Sequence, residues 1–243
     1  MRGTAWASQD NPPVREARIA WLYPRMPTHV IPTRIHGRYL TSAPDGGNPT
    51  LMLVGFHGQS ETAAIEMAHL ERIRGDQPWL LVSVQGLHRY YTRRGDVVAA
   101  WMTREDRELA IADNIAYVDA VMTAVRQAWP SAARRLVYAG FSQGTAMAYR
   151  AAAFIGVPCA GLLILAGDVP PDVAAVAHRL PPVLLGRGRR EEWYTAERAA
   201  RDVGCLQAAG VPVTEAVFEG AHERTAEFEQ RARDFVSRLA SAP

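Results

Sequence analysis

Lysine is absent from this chain of 243 residues: all 27 basic side chains are arginine. With its many alanines, the chain reads as the product of a high-GC coding bias. Charge of one sign is also lacking. The formal net charge is only +2, which gives no overall pull toward nucleic acid. Cysteine is scarce, and Cys159 and Cys205 show neither metal nor redox spacing, so two buried thiols in a cytoplasmic protein are expected. No run of eighteen apolar residues exists to span a bilayer. The opening "MRGTAWASQDNPPVREARIA" has no continuous apolar core of the signal-peptide kind, which also points to the cytoplasm. No H-E-x-x-H occurs, and no G-x-G-x-x-G followed by an acidic partner, so neither metal nor cofactor is expected.

What is present is apolar residue, 48% of the chain, enough for one sizeable α/β core. Residues 1–33 carry Pro12, Pro13, Pro24, Pro27 and Pro32 and read as an irregular N-terminal extension. Residues 34–243 read as the folded domain. Residues 34–40 alternate like an edge strand, and "SAPDGGNP" (42–49) is a turn. Strands are expected at 50–56, 79–84, 135–140, 160–167, 182–188 and 213–220, the first two of them buried. Helices are expected at 61–74, 104–129, 143–155, 194–209 and 224–240. The longest helix shows Ile111, Ile115, Val118, Met122 and Val125 at steps of three and four, and Pro130 stops it. Residues 86–104 read as a long connection rich in arginine and aromatics. Strands alternating with helices predict a mostly parallel, doubly wound sheet.

The segment "YAGFSQGTAMAY" sets Ser142 between Gly140 and Gly144 where a strand becomes a helix. A sharp turn there brings backbones close and exposes the serine hydroxyl at the helix start. An ordinary glycine turn with a serine cap is the bland alternative. A serine hydroxyl needs a base. His222, just after the last strand in "FEGAHERTAEF", shares the expected rim with Ser142. His57 in "GFHGQS" does too, but it precedes the nucleophile, and the order for this architecture is serine, acid, histidine. The acid must lie between them. Glu191 is favoured, with Glu192 and Asp168 as alternatives. An oxyanion needs preformed N–H donors. Those of Gln143, at the helix start, and Gln59, in the loop after the strand 50–56, are the candidates, with Gly58 leaving room.

Together, "GFHGQS", "GFSQGTAMA", "PVLLGRGRREEWY" and "EGAHE" resemble the α/β-hydrolase fold, and more narrowly the phospholipase/carboxylesterase group of small serine esterases, which includes acyl-protein thioesterases. The resemblance covers about residues 34–240. It implies helices on both faces of the sheet and no large cap domain. It makes Ser142 the nucleophile, His222 the base, and the backbones of Gln59 and Gln143 the oxyanion hole. The family's acid is usually the Asp of G-x-x-D. Here Gly188-Arg189-Arg190-Glu191 puts Glu at that position, with Arg189 and Arg190 as competitors for its charge. Residues 86–104 have no counterpart in the thioesterases and suggest a bacterial subgroup of esterases.

The expected reaction is hydrolysis of a small or medium acyl ester through an acyl-enzyme. Trp101, Tyr90 and Tyr91 are candidate walls of an acyl or leaving-group pocket, and Asp168 a candidate lining residue. Arg93, with Arg89, Arg94, Arg187 and Arg189, is a candidate for attracting an anionic substrate portion. The plainer reading is a solvated loop whose arginines pair with Asp96, Glu191 and Glu192. A thioesterase, lysophospholipase or peptidase would use the same triad. A non-catalytic binding module would need the triad misaligned, for example by residues 86–104. A dienelactone-type hydrolase would carry Cys at position 142. An edge strand near 34–40 would permit a homodimer without demanding one.

Overall fold

The computed structural model of the chain describes residues 27–44 and 48–241. Most of the proline-rich extension, and the tip of the 42–49 turn, therefore lie outside the described residues. Residues 27–35 form no helix or strand. From His36 onward the elements, in chain order, are β1 (Arg38–Ser42), β2 (Leu51–Phe56), α1 (Ala63–Arg74), β3 (Trp79–Gln85), β4 (His88–Tyr91), β5 (Val97–Ala100), α2 (Arg107–Ala128) and β6 (Leu136–Phe141). They continue with α3 (Gln143–Phe154), β7 (Gly161–Leu165), α4 (Pro171–Ala174), β8 (Val183–Gly188), α5 (Ala196–Ala208), β9 (Val213–Phe218) and α6 (Ala226–Ser241).

Seven strands make one sheet in the order β1-β3-β2-β6-β7-β8-β9. All neighbours are parallel except β1, which pairs antiparallel to β3 at the edge. Every residue of β2, β3, β6 and β7 is buried, as uniformly apolar central strands require. Alternate residues serve opposite faces. Met52, Val54, Phe56 and Tyr138 pack with Val118, Met122 and Met147 of α2 and α3. Leu51, Leu53, Val137 and Ala139 pack with Leu70 of α1 and Phe228 and Phe235 of α6. Helices therefore cover both faces. No helix among the described residues is long and apolar enough to cross a membrane.

Two expectations change. The edge strand begins at Arg38, not at residue 34, because its register is fixed by β3: Arg38 lies opposite Gln85, the last residue of that strand. Residues 86–104 are not a structureless connection. They contain the hairpin β4–β5, with His88 opposite Ala100 and Tyr91 opposite Val97. Its turn closes through Gly95 N–H donating to Thr92 O, with Gly95 at φ +88°. Four-residue strands, one of them wholly exposed, carry too little pattern to be recognised.

Candidate active site

The parallel strands all present their carboxyl ends to one edge of the sheet, where ligand sites of open α/β sheets form. Ser142 follows β6 there, and its backbone is held at φ +52°, a region costly for a residue with a side chain. Its N–H donates to Leu165 O at 2.9 Å, and its carbonyl accepts from Thr145 N–H and Thr145 Oγ. The glycines make this turn possible. A Cβ on Gly144 would overlap the Phe56 carbonyl oxygen, and one on Gly140 would lie 2.5 Å from the Gly144 carbonyl. Ser60, after β2, and Ala166, after β7, also have positive φ, so the strained residues gather at this edge.

Glu191 and His222 arrive on the loops after β8 and β9. The β8–β9 ladder continues past the strands, with Arg189 and Arg190 N–H donating to Phe218 and Gly220 O at 2.9 Å each. A Cβ on Gly188 would overlap the Gly220 and Ala221 carbonyls, so the glycine lets the two loops touch. Glu191 Oε1 accepts from the N–H groups of Trp193 and Tyr194, and Oε2 lies 2.8 Å from His222 Nδ1. His222 Nε2 lies 2.8 Å from Ser142 Oγ. A carboxylate only accepts, so Nδ1 carries the ring proton and Nε2 accepts from the serine hydroxyl. The Glu191 side chain is fully buried. Glu192, the adjacent candidate, is exposed, and Asp168 is paired with Arg198 at 2.5 Å. Arg189 and Arg190 pair with Glu219 and leave Glu191 alone.

His57 has a structural setting. Gly86 N–H donates to its Nε2 at 2.9 Å and its Nδ1–H donates to Gly58 O at 2.7 Å. Burial lowers its pKa. The hairpin braces the same loop: Ser60 N–H donates to Ala99 O, Ala99 N–H to Glu61 O, and Ser60 Oγ meets the Tyr90 hydroxyl at 2.7 Å. Trp101 is fully buried and its indole N–H donates to His57 O at 2.8 Å. Gln143 Oε1 accepts from Trp101 N–H, and Gln143 Nε2 donates to Met102 O.

Sequence reasoning missed a charged cluster behind these loops. Arg224 donates to both oxygens of Glu61, at 2.6 and 2.8 Å, and to Glu66 at 2.5 Å. Its guanidinium lies 4.0 Å from the centre of the Phe141 ring, which packs on His222. Glu61 Oε2 also accepts from Gly58 N–H at 2.7 Å. Burial alone would raise the Glu61 carboxyl, but its bonds to Arg224 hold it low. Burial pushes Glu66 up to about 7 against the pull of Arg224. The position of Arg224, two residues after His222, was the available clue.

A cavity of about 900 Å³ opens beside Ser142 and His222. Gln59, Gln143 and Asp168 line it, with Met102, Val169, Pro170, Pro171, Ala174 and Trp193. Trp193 was not anticipated; its ring meets His222 edge-on at 5.8 Å. The expectations that Trp101, Tyr90 and Tyr91 wall the pocket and that Arg93 meets an anionic substrate portion there are corrected: none lines this cavity. Trp101 lies against the loop after β2, where its buried indole N–H finds the His57 carbonyl as acceptor. Tyr90 is bonded to Ser60, and Tyr91 and Arg93 point to solvent. Among the described residues no group of His, Cys, Asp or Glu is arranged to hold a metal ion.

No family model and no curated protein matches the sequence. Solved structures do match. Esterase PE8 aligns with a TM-score of 0.69 at 17% identity over 84% of this chain and 100% of its own. Acyl-protein thioesterase 2 from Zea mays aligns at 0.65 and 18% identity, over 85% of this chain and 100% of its own. A Bacillus cereus carboxylesterase aligns at 0.65 and 13% identity, over 84% of this chain and 94% of its own. The chain has the α/β-hydrolase fold.

Two outcomes test this account of the site's framework. Gly144→Ala destabilises the fold by about 1–3 kcal/mol or more through overpacking. Gly156→Ala, with nothing within 4 Å of its new methyl, changes stability by no more than about 1 kcal/mol. Urea midpoints of the two variants give the comparison. Glu66 has a raised folded pKa, so its contribution to stability is full below its ordinary 4.5 and is lost as pH rises through about 7. Glu66→Gln cannot titrate, so its stability falls less than the wild type's across that window. Parallel stability–pH curves would contradict the assignment.

Proposed function

We propose that the chain is a serine carboxylesterase that hydrolyses small or medium acyl esters, with Ser142 as nucleophile, His222 as base and Glu191 as acid. The observation that carries the reading is the unbroken chain from Glu191 through His222 to Ser142, with both links at 2.8 Å, beside the cavity. A strained serine backbone supports it, since strain of this kind gathers at functional sites. The similarity in shape to esterases and an acyl-protein thioesterase agrees with it.

His222 Nε2 takes the Ser142 proton as Oγ attacks the acyl carbon, and Glu191 holds the Nδ1–H tautomer and faces the positive ring that forms. The Gln143 N–H, at the first position of α3, has no partner within its helix, and with the Gln59 N–H it receives the oxyanion. His222 then gives its proton to the leaving alcohol. Water, deprotonated by His222, attacks the acyl-enzyme; the acyl–Oγ bond breaks, His222 returns the proton to Ser142 Oγ, and the acid leaves. No step requires a metal or a cofactor. A thioesterase or lysophospholipase would run the same steps on another leaving group. The hairpin leaves the 2.8 Å contacts intact, which weighs against a misaligned, non-catalytic binding module. Cys159 and Cys205 are free thiols, which suits the cytoplasmic location we favour.

Turnover of p-nitrophenyl butyrate is the test. Ser142→Ala and His222→Ala lower kcat by about 10⁶-fold, and Glu191→Gln by about 10⁴-fold. Glu192→Gln leaves it within about twofold, as expected for an exposed carboxylate outside the chain of contacts. An active Ser142→Ala variant, or a Glu192 effect larger than that of Glu191, would overturn the assignment. Oxygen and sulfur esters of butyrate, compared by kcat/KM, separate carboxylesterase from thioesterase.

A further inference from the structure

We infer that the substrate carries an anionic group, a carboxylate or phosphate, a few atoms from the scissile carbonyl, and that Arg107 and Arg201 receive it. The inference rests on the esterase reading above. It follows from how the cavity's charges are already matched. Five ionisable side chains other than His222 and Cys205 line it: Asp168, Asp202, Arg107, Arg198 and Arg201.

Both acids are engaged. Asp168 is paired with Arg198, which also donates to Trp193 O at 2.7 Å and lies 4.7 Å from the centre of the Trp193 ring. Asp202 is buried, accepts from Val169 N–H and the Tyr194 hydroxyl, and has its pKa raised by that burial. Of the three arginines, only Arg198 is in a salt bridge. Arg107, at the start of α2, and Arg201, on α5, have no carboxylate within salt-bridge distance among the described residues. The nearby Asp172 is taken by Arg150, which grips both its oxygens at 2.8 Å.

Arg201 feels Asp202 and Arg107 feels Asp172, but only at a distance, and both acids are bonded elsewhere. An anion entering the cavity therefore meets two guanidinium groups in no salt bridge, which suit carboxylate and phosphate. A cation meets no unmatched acid. Val169, Pro170, Pro171 and Ala174 supply apolar lining for the atoms between the reacting carbonyl and the anion. The arginines named from the sequence do not take this part: Arg93 lies outside the lining, and Arg189 is held by Glu219.

The test uses two ester pairs. Mono(p-nitrophenyl) glutarate against its methyl ester places the charge on the acyl side. The butyrate of 3-hydroxybenzoate against phenyl butyrate places it on the leaving-group side. Each is run with wild type, Arg107→Gln/Arg201→Gln, and Arg126→Gln/Arg238→Gln as an equal charge change outside the lining. In at least one pair wild type prefers the anionic ester by about fivefold in kcat/KM, the scale expected for two solvent-screened ionic contacts. That ratio falls toward one in the cavity double variant, chiefly through KM, and persists in Arg126→Gln/Arg238→Gln. It also shrinks as NaCl rises from about 0.05 to about 0.5 M. Turnover of the neutral esters with no anionic preference in either pair, or a preference equal in wild type and the cavity double variant, overturns the inference alone. If wild type hydrolyses none of the four, the esterase reading falls and takes the inference with it.

Discussion

Helix α3 starts so close to strand β2 that only a hydrogen fits between Gly144 and the Phe56 carbonyl. The rest of the site depends on this contact. It forces a sharp turn out of β6, which puts Ser142 at positive φ with its hydroxyl at the sheet edge. It also fixes the start of α3, and so the Gln143 N–H, beside the loop that leaves β2. The Ser142 hydroxyl and the Gln143 N–H are thus placed by one backbone approach. The strain it creates, about 1–3 kcal/mol for such a residue, is offset by the fully buried strands on either side of β6.

The remaining pieces are aligned by paired loops. The ladder of β8 and β9 runs beyond the strands and carries Glu191 and His222 into contact. Arg224 ties the histidine loop to Glu61, which in turn holds Gly58 N–H. From the other side His57, Trp101 and the hairpin hold the same loop. The loop after β2 is therefore gripped on two sides. The oxyanion hole proposed for the Gln59 and Gln143 N–H groups needs that rigidity, because a preorganised donor works only if it need not move.

Much of this could be read in the sequence. The central strands were plain because burial on both faces demands unbroken apolar runs. The meeting of Ser142 and His222 could be expected from the glycines at 140 and 144 and from a histidine just after the last strand. Which carboxylate meets His222 was not plain. Glu191 and Glu192 are adjacent, and only the backbone direction after Gly188 turns one inward and the other to solvent. Trp101 was misplaced because an aromatic residue in an arginine-rich loop fits a pocket wall and a buried brace equally well. Arg107 and Arg201 gave no local signal, and Arg224 only its place two residues after His222. Their roles depend on which carboxylates the fold brings near, and in a chain with arginine as its sole basic residue composition cannot single them out.

The central claim is that Ser142 is an activated nucleophile in the folded protein. The most direct measurement is mass spectrometry of the intact protein and its peptides after brief exposure to a fluorophosphonate. The account predicts a single adduct, on the peptide containing Ser142, that disappears when the protein is unfolded before exposure. No adduct on the folded protein, or one on another serine, would contradict it.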